Sequence, residues 1–180
     1  MPLIREKELY TVEDIYTLPE GEHAELIDGV IYNMAAPSAE HQRISVALTR
    51  AIGDYLDDKP CEVYPAPFAV FLKDDDMNYL EPDISVICDF DKISNRGCEG
   101  APDWTIEIVS PSSRDRDYFQ KLMLYREQGV REYWIVDPSK RKIRTFFFEG
   151  GDYDDYSFDD EVPVHIYACN LRICLADYGL

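Results

Sequence analysis

Asp103-Trp104-Thr105-Ile106-Glu107-Ile108-Val109 reads as a β-strand with an unusual inner face. Successive side chains on a strand point to opposite faces. Trp104, Ile106 and Ile108 therefore share one face, and Thr105, Glu107 and Val109 share the other. Both faces are apolar apart from Glu107, the pattern of a central strand covered on both sides. Pro111 stops the run. A carboxylate in such a place costs stability unless it is paired or used.

Working outward, Ser112 and Asp115 are spaced as a capping box and predict a helix over 113–128, ended by Gly129. Tyr118, Leu122 and Tyr125 form its core stripe, and Lys121 falls in the same sector. Residues 132–136 and 141–148 read as strands joined by the turn Asp137-Pro138-Ser139-Lys140. Upstream, residues 82–88 predict a strand with Asp83, Ser85 and Ile87 on one face. Residues 61–72 are an extended run whose Pro65 and Pro67 suit an edge or a strand entry. Residues 73–78 read as a polar loop and 89–102 as a loop with two glycines.

Ser38 caps a predicted helix over 38–56, in which His41, Ile44, Leu48, Ile52 and Tyr55 share one buried sector. Residues 24–34 predict a hairpin turning at Asp28-Gly29, with Glu25 on its first strand. Thr11 and Asp14 open a short helix over 12–18, which Pro19 and Gly21 end. The acidic, aromatic stretch 151–161 reads as a solvated loop or hairpin arm, and 162–175 as a last strand or short helix. The order predicts a mixed α/β fold in one domain over 1–180. Its core spans about 8–150 and its acidic C-terminal extension 151–180.

The composition fits a packed domain: 180 residues, 46% hydrophobic, with 13 Tyr. It excludes wholesale disorder, collagen and a small disulfide scaffold. The 36 acidic and 18 basic side chains leave a net charge of −18. Such a surface repels nucleic acid at long range and needs a local reason to bind it. The five cysteines are odd in number and lack a CxxC pair, and the three His show no paired ligand spacing, so a structural zinc site is not expected. The first 16 residues hold no apolar signal-peptide core, and no stretch approaches a membrane span. A cytoplasmic, membrane-free setting is the expectation.

Three charged groups stand where structure alone would not place them: Asp83 at a strand start, Glu107 inside a strand, and Lys121 on the apolar side of the following helix. Carboxylates from adjacent strands can hold a hard divalent ion such as Mg²⁺ or Mn²⁺, and the Ile108 carbonyl could add a ligand. Water on that ion becomes an accessible hydroxide. A nearby lysine can orient it and offset charge growing on phosphorus.

The combination Glu25-Leu-Ile-Asp-Gly29, His41, Glu81-Pro-Asp83, Glu107-x-x-Ser110-Pro111-Ser112, Lys121, Tyr125 and Gly129-Val-x-Glu-Tyr-Trp-x-Val-Asp-Pro138 resembles the putative restriction endonuclease family abundant in cyanobacteria, within the PD-(D/E)XK nuclease superfamily. The resemblance covers about residues 8–150. It implies a restriction-endonuclease-like core, a mixed four-stranded central sheet flanked by helices, with an N-terminal hairpin extension and additional C-terminal strands. It also implies Mg²⁺-dependent cleavage of DNA, with Mn²⁺ as substitute, and a homodimer. Asp83, Glu107, Ile108 and Glu25 are the implied metal ligands, and Lys121 and His41 complete the implied catalytic set. The chain departs from the superfamily at Val109, where its usual lysine would stand; Lys121 on the next helix takes that place.

Each residue also has a plainer reading. Asp83 could be a turn residue, Glu107 a rim glutamate, Glu25 a cross-strand partner and His41 a core histidine. Lys121 could cover apolar surface with its stem or simply pair with Glu107. Arg114, Arg116, Arg126 and Arg131 are the candidate phosphate contacts, or ordinary surface charges. Tyr133, Trp134 and Phe146 to Phe148 read as core or dimer surface, and Asp74 to Asp76 as a solvated run without the spacing of a calcium loop. Two classes of function follow. One is a metal-dependent endonuclease. The other is a regulatory or protein-interaction module that keeps the nuclease fold, which the acidity favours; hydrolysis of another phosphate ester is a third option.

Overall fold

A computed structural model describes residues 9–180. The signal-peptide reading of residues 1–8, and residue 8 of the expected core, lie outside them. Helix α1 (Val12–Tyr16) leads into the hairpin β1 (Ala24–Ile27) and β2 (Val30–Asn33), then helix α2 (Ala39–Leu56). Strands β3 (Glu62–Pro65), β4 (Val70–Phe71), β5 (Tyr79–Leu80), β6 (Ile84–Ile87), β7 (Ile93–Ser94), β8 (Gly97–Glu99) and β9 (Trp104–Ile108) follow. A π-helical turn (Arg116–Gln120) runs directly into helix α3 (Lys121–Gln128). Strands β10 (Glu132–Asp137), β11 (Lys142–Phe147), β12 (Tyr153–Ser157), β13 (Val162–Pro163) and β14 (Arg172–Ile173) complete the chain with short 3₁₀ turns.

The central sheet has the order β12-β11-β10-β9-β6-β3. It is mixed, because β9 and β10 run parallel and the other pairs run antiparallel. The four expected strands, β6, β9, β10 and β11, are its middle, and β3 and β12 widen it on either side. Strand β12 is the arm expected at 151–161. A second sheet, β2-β1-β5-β4-β8-β7, carries the hairpin. No helix among the described residues is long and apolar enough to cross a membrane.

Strand alternation sorts the two faces of β9 as its sequence requires. Trp104, Ile106 and Ile108 pack with Trp134 and Val136 of β10 against Ile44, Leu48 and Ile52 of α2. The indoles of Trp104 and Trp134 meet edge to face at 4.9 Å, a contact worth about 0.5–1.5 kcal/mol beyond its buried area. On the opposite face, Val109 joins Tyr133 and Ile135, covered by Leu124 and Tyr125 of α3 and by Val70 and Leu80 of the second sheet. Glu107 points to this second face, so it is enclosed between β9, α3 and the hairpin.

Several local expectations are corrected. The run 61–72 splits: β3 ends at Pro65 on the edge of the central sheet, and after a cis Ala66–Pro67 bond β4 joins the second sheet. The loop 89–102 contains the β7–β8 hairpin, and β5 lies in the stretch left unassigned after 78. Two-residue strands are too short to show a period, which is why they left no pattern. The capping box before α3 forms between Ser110 and Ser113, not Ser112 and Asp115: Ser113 N–H donates to Ser110 Oγ at 3.3 Å and Ser110 N–H to Ser113 Oγ at 3.0 Å. Pro111 then occupies the first position after the cap, where its missing N–H is harmless. Cys61 and Cys88 form a disulfide between β3 and β6, a pairing that the cysteine count had not indicated.

Candidate active site

Glu25, Glu107 and Lys121 converge from three separate elements. Glu25 sits on β1 with its hairpin partner Tyr32 directly opposite. Glu107 projects from β9 and Lys121 from the first turn of α3. All three side chains are at least 95% buried. The Lys121 ammonium donates to Glu25 Oε1 at 2.9 Å and to Glu107 Oε1 at 3.0 Å. Asp117 Oδ1, one turn earlier, lies 3.3 Å from the same nitrogen. The Tyr125 hydroxyl donates to Glu107 Oε1 at 2.7 Å, and the Glu81 N–H donates to Glu25 Oε1 at 3.2 Å.

Asp83 precedes β6. Ile84 pairs with Ile106, which brings Asp83 alongside the next residues of β9. Its Oδ2 accepts from the Ile108 N–H at 2.7 Å, and its Oδ1 lies 3.1 Å from His41 Nε2. His41 reaches this point from α2, on the face of the sheet opposite Lys121. The expected residues therefore form two adjoining groups: Glu25–Glu107–Lys121 on one side, and Asp83–His41 at the backbone of Ile108.

The electrostatics follow from burial. Glu107 is held well above the ordinary carboxylate range, first by loss of solvent, which Lys121 only partly offsets, and further by the charges of Asp117, Glu25 and Asp83. Glu25 is raised for the same first reason. Burial pulls Lys121 down, but Glu107, Glu25 and Asp117 outweigh it and the lysine ends well above its usual value. Burial also pulls His41 down; the Asp83 carboxylate, with smaller help from Gln42 and the Ile108 backbone, brings it above 6.5.

Asp117 is the participant that sequence reasoning missed; Tyr125 was read as core and its contact with Glu107 was not anticipated. Asp117 is 1% exposed and Tyr125 fully buried. The stripe was read from Tyr118, Leu122 and Tyr125, but the π-helical turn rotates the buried side onto Asp117, Lys121, Leu124 and Tyr125. The i, i+4 spacing of Asp117 and Lys121 was the available signal. Of the candidate phosphate contacts, Arg114 is bound by both oxygens of Asp137, and Arg131 by Glu149 at 3.2 Å and Asp103 at 3.7 Å. Tyr133 and Trp134 are core, whereas Phe146, Phe147 and Phe148 are half-buried.

The donors suit a hard divalent ion. Asp83, Glu107, Glu25 and the Ile108 carbonyl offer oxygen only, and three buried carboxylates face one ammonium, an excess of negative charge that a divalent cation would offset. These ligand atoms are not gathered into a tight set. Among the described residues, the group of three or more His, Cys, Asp or Glu whose ligand atoms all lie within 4.8 Å of one another is Glu161, Cys174 and Asp177.

Comparison with known proteins agrees with this architecture. A crystal structure described as a "putative nuclease belonging to DUF820", from Anabaena variabilis, superposes with a TM-score of 0.76 at 22% identity, covering 93% of this chain and 96% of that one. That likeness establishes a shared fold. Two uncharacterized Synechocystis proteins are related in sequence. Protein slr1290 is 30% identical over 126 residues, which are 69% of this chain and 66% of the relative. Protein sll1609 is 27% identical over 128 residues, 69% of this chain and 72% of the relative. The family model Uma2, described as "Putative restriction endonuclease", matches residues 12–170, and the chain belongs to that family.

Proposed function

We propose that the chain is a divalent-metal-dependent endonuclease that hydrolyses phosphodiester bonds of DNA and works as a homodimer. The observation that carries this reading is the burial of Lys121 among Glu25, Glu107 and Asp117. Removing such charges from water costs several kcal/mol per ion, and well-packed apolar residues of similar size would often serve stability as well or better. A site that keeps them in the core has a use for them.

Asp83 and Glu107, with Glu25 and the Ile108 carbonyl, would hold Mg²⁺ or Mn²⁺. The ion would supply an acidified water and a counter-charge for the phosphoryl oxygens. The chain's own groups do the rest. Lys121 presents an ammonium fixed by carboxylates and is suited to orient the attacking water and stabilise charge on phosphorus. Tyr125 fixes the Glu107 carboxylate, and Asp117 shares the load of holding Lys121. The Asp83 carboxylate outweighs burial at His41 and raises the imidazole above its usual value, so His41 can carry a proton at Nε2 beside Asp83 Oδ1.

The net charge of −18 favours a second reading, a non-catalytic interaction module on the same fold. Incubation with plasmid, linear duplex, single-stranded and branched DNA in Mg²⁺ or Mn²⁺, beside Glu107→Gln, separates the two. Cleavage that EDTA and the substitution both abolish supports the nuclease. Intact substrates throughout, with folded protein, favour the module.

A further inference from the structure

Beside the acidic cluster lies an arginine with no carboxylate partner among the described residues. Arg116 is the residue before Asp117, and its guanidinium carbon sits 4.7 Å from the centre of the Tyr32 ring. Tyr32 is the residue directly opposite Glu25 on the hairpin, so both project from the same face. The Arg116 Nε is shielded from solvent and makes no hydrogen bond. Other arginines near the site are neutralised: Arg114 by Asp137 and Arg131 by Glu149 and Asp103. The chain carries a net charge of −18, and at this position a guanidinium stands over an aromatic ring.

The same tyrosine lines a cleft of about 470 Å³ between the hairpin and the helix, with Phe119 and Met123 on its other wall. Phe119 is 68% exposed and Met123 53% exposed. Lys73, which also lines the cleft, is 2.5 Å from Asp28 and so adds little free charge. The cleft thus has Tyr32 and Phe119 on its walls and Asp28 and Glu127 in its lining, and beyond the Tyr32 ring stands Arg116, a cation without a carboxylate partner among the described residues. A guanidinium on a ring is preorganised to take a phosphate oxygen pair. An exposed aromatic offers a stacking surface to a nucleobase that has left its helix. A duplex would need many phosphate contacts, and here they are replaced by acids.

Building on the nuclease reading, we propose that this cleft is the substrate groove and that it takes single-stranded nucleic acid. Arg116 on Tyr32 receives a phosphate next to the scissile one, and Phe119 stacks on an unpaired base. Arg116 and Phe119 are binding residues, and their substitution acts on affinity before it acts on turnover.

The test is fluorescence anisotropy of labelled short oligonucleotides, single-stranded DNA, single-stranded RNA and duplex, with Ca²⁺ replacing Mg²⁺ so that the strand survives. Wild type should prefer a single strand to the duplex, and the DNA and RNA arms identify the sugar. Arg116→Gln should weaken single-strand binding about tenfold and lower the magnitude of the salt slope by about 0.7, the share of one phosphate. Arg116→Lys should recover part of the loss, Phe119→Ala should weaken binding about 5- to 100-fold, and Arg126→Gln should change it little. Duplex preference, absence of binding by wild type, or an Arg116→Gln protein that binds like wild type would overturn the groove. Cleavage in Mg²⁺ that ignores Arg116→Gln would overturn it while leaving the nuclease reading intact. Arg116-dependent binding without cleavage in any metal would uphold the groove and remove the nuclease reading instead.

Discussion

The Lys121 ammonium lies 2.9 Å from Oε1 of Glu25, a residue 96 positions earlier in the chain. This contact ties the N-terminal hairpin of the second sheet to the helix that follows the central strand β9. The same nitrogen holds Glu107 of that strand at 3.0 Å. One side chain therefore joins three elements at the point where the two sheets and α3 meet. The site and the fold share this joint, so changes to it are expected to register in both stability and activity.

Lys121→Met removes the only cation that touches the three carboxylates of this cluster among the described residues. Breaking a buried ion pair by deleting one partner costs about 3–5 kcal/mol. Urea denaturation in EDTA should show a loss of that size. A loss below about 1 kcal/mol, the level of a surface pair, would mean that the cluster is hydrated and not the buried joint described above.

Glu107→Gln keeps an acceptor for Lys121 and Tyr125 but removes the ionisation. Since the folded-state pKa of Glu107 is raised well above 4.5, the native protein holds this proton after the unfolded chain has released it. Its contribution to stability is fully present below about pH 4.5 and is lost as pH rises through the folded value. In EDTA, the stability of Glu107→Gln relative to wild type should therefore increase with pH above 4.5. Parallel stability–pH curves for the two proteins would contradict the raised pKa.

His41 should titrate above 6.5 by NMR in the metal-free protein, because Asp83 outweighs the effect of burial. In Asp83→Asn the attraction is gone and burial remains, so the pKa should fall relative to wild type. An unchanged value would show that another group holds the imidazolium.

Gly97 has φ of +143°, and a Cβ there would stand 2.2 Å from the Ala69 carbonyl oxygen. That oxygen also accepts from the Cys98 N–H at 2.8 Å, next to the pairing of β8 with β4. Gly97→Ala should destabilise by about 2 kcal/mol or more, read as a lower denaturation midpoint. A midpoint equal to wild type would mean that the second sheet yields at this edge.

The central layer was legible because its periods are long and clean. Alternation on β9 separated Trp104, Ile106 and Ile108 from Glu107 correctly, and the apolar spacing of α2 placed Ile44, Leu48 and Ile52 on the face that packs against them. Glu25, Glu107 and Lys121 stood out as charges at buried phases, and the structure brings them together. Asp117 did not stand out, because a π-helical turn shifts the phase that a 3.6-residue period assumes. The second sheet stayed hidden because β4, β5 and β7 are two residues long, and because β5 pairs with β1 and β4 with β8 across long stretches of sequence. The Cys61–Cys88 bond depends on the register of β3 on β6, which spacing alone does not reveal.

The most direct measurement is a Mn²⁺ titration followed by electron paramagnetic resonance on wild type, Asp83→Asn, Glu107→Gln and Asp177→Asn. It sets the buried cluster against Glu161–Cys174–Asp177, whose candidate ligand atoms already lie within 4.8 Å of one another. The account predicts specific binding by wild type that weakens at least tenfold in Asp83→Asn and Glu107→Gln and persists in Asp177→Asn. It also predicts tighter binding at higher pH, since the raised Glu107 must lose its proton for the ion to enter. Binding that survives loss of Asp83 and Glu107 but disappears with Asp177, or no specific binding at all, would contradict it.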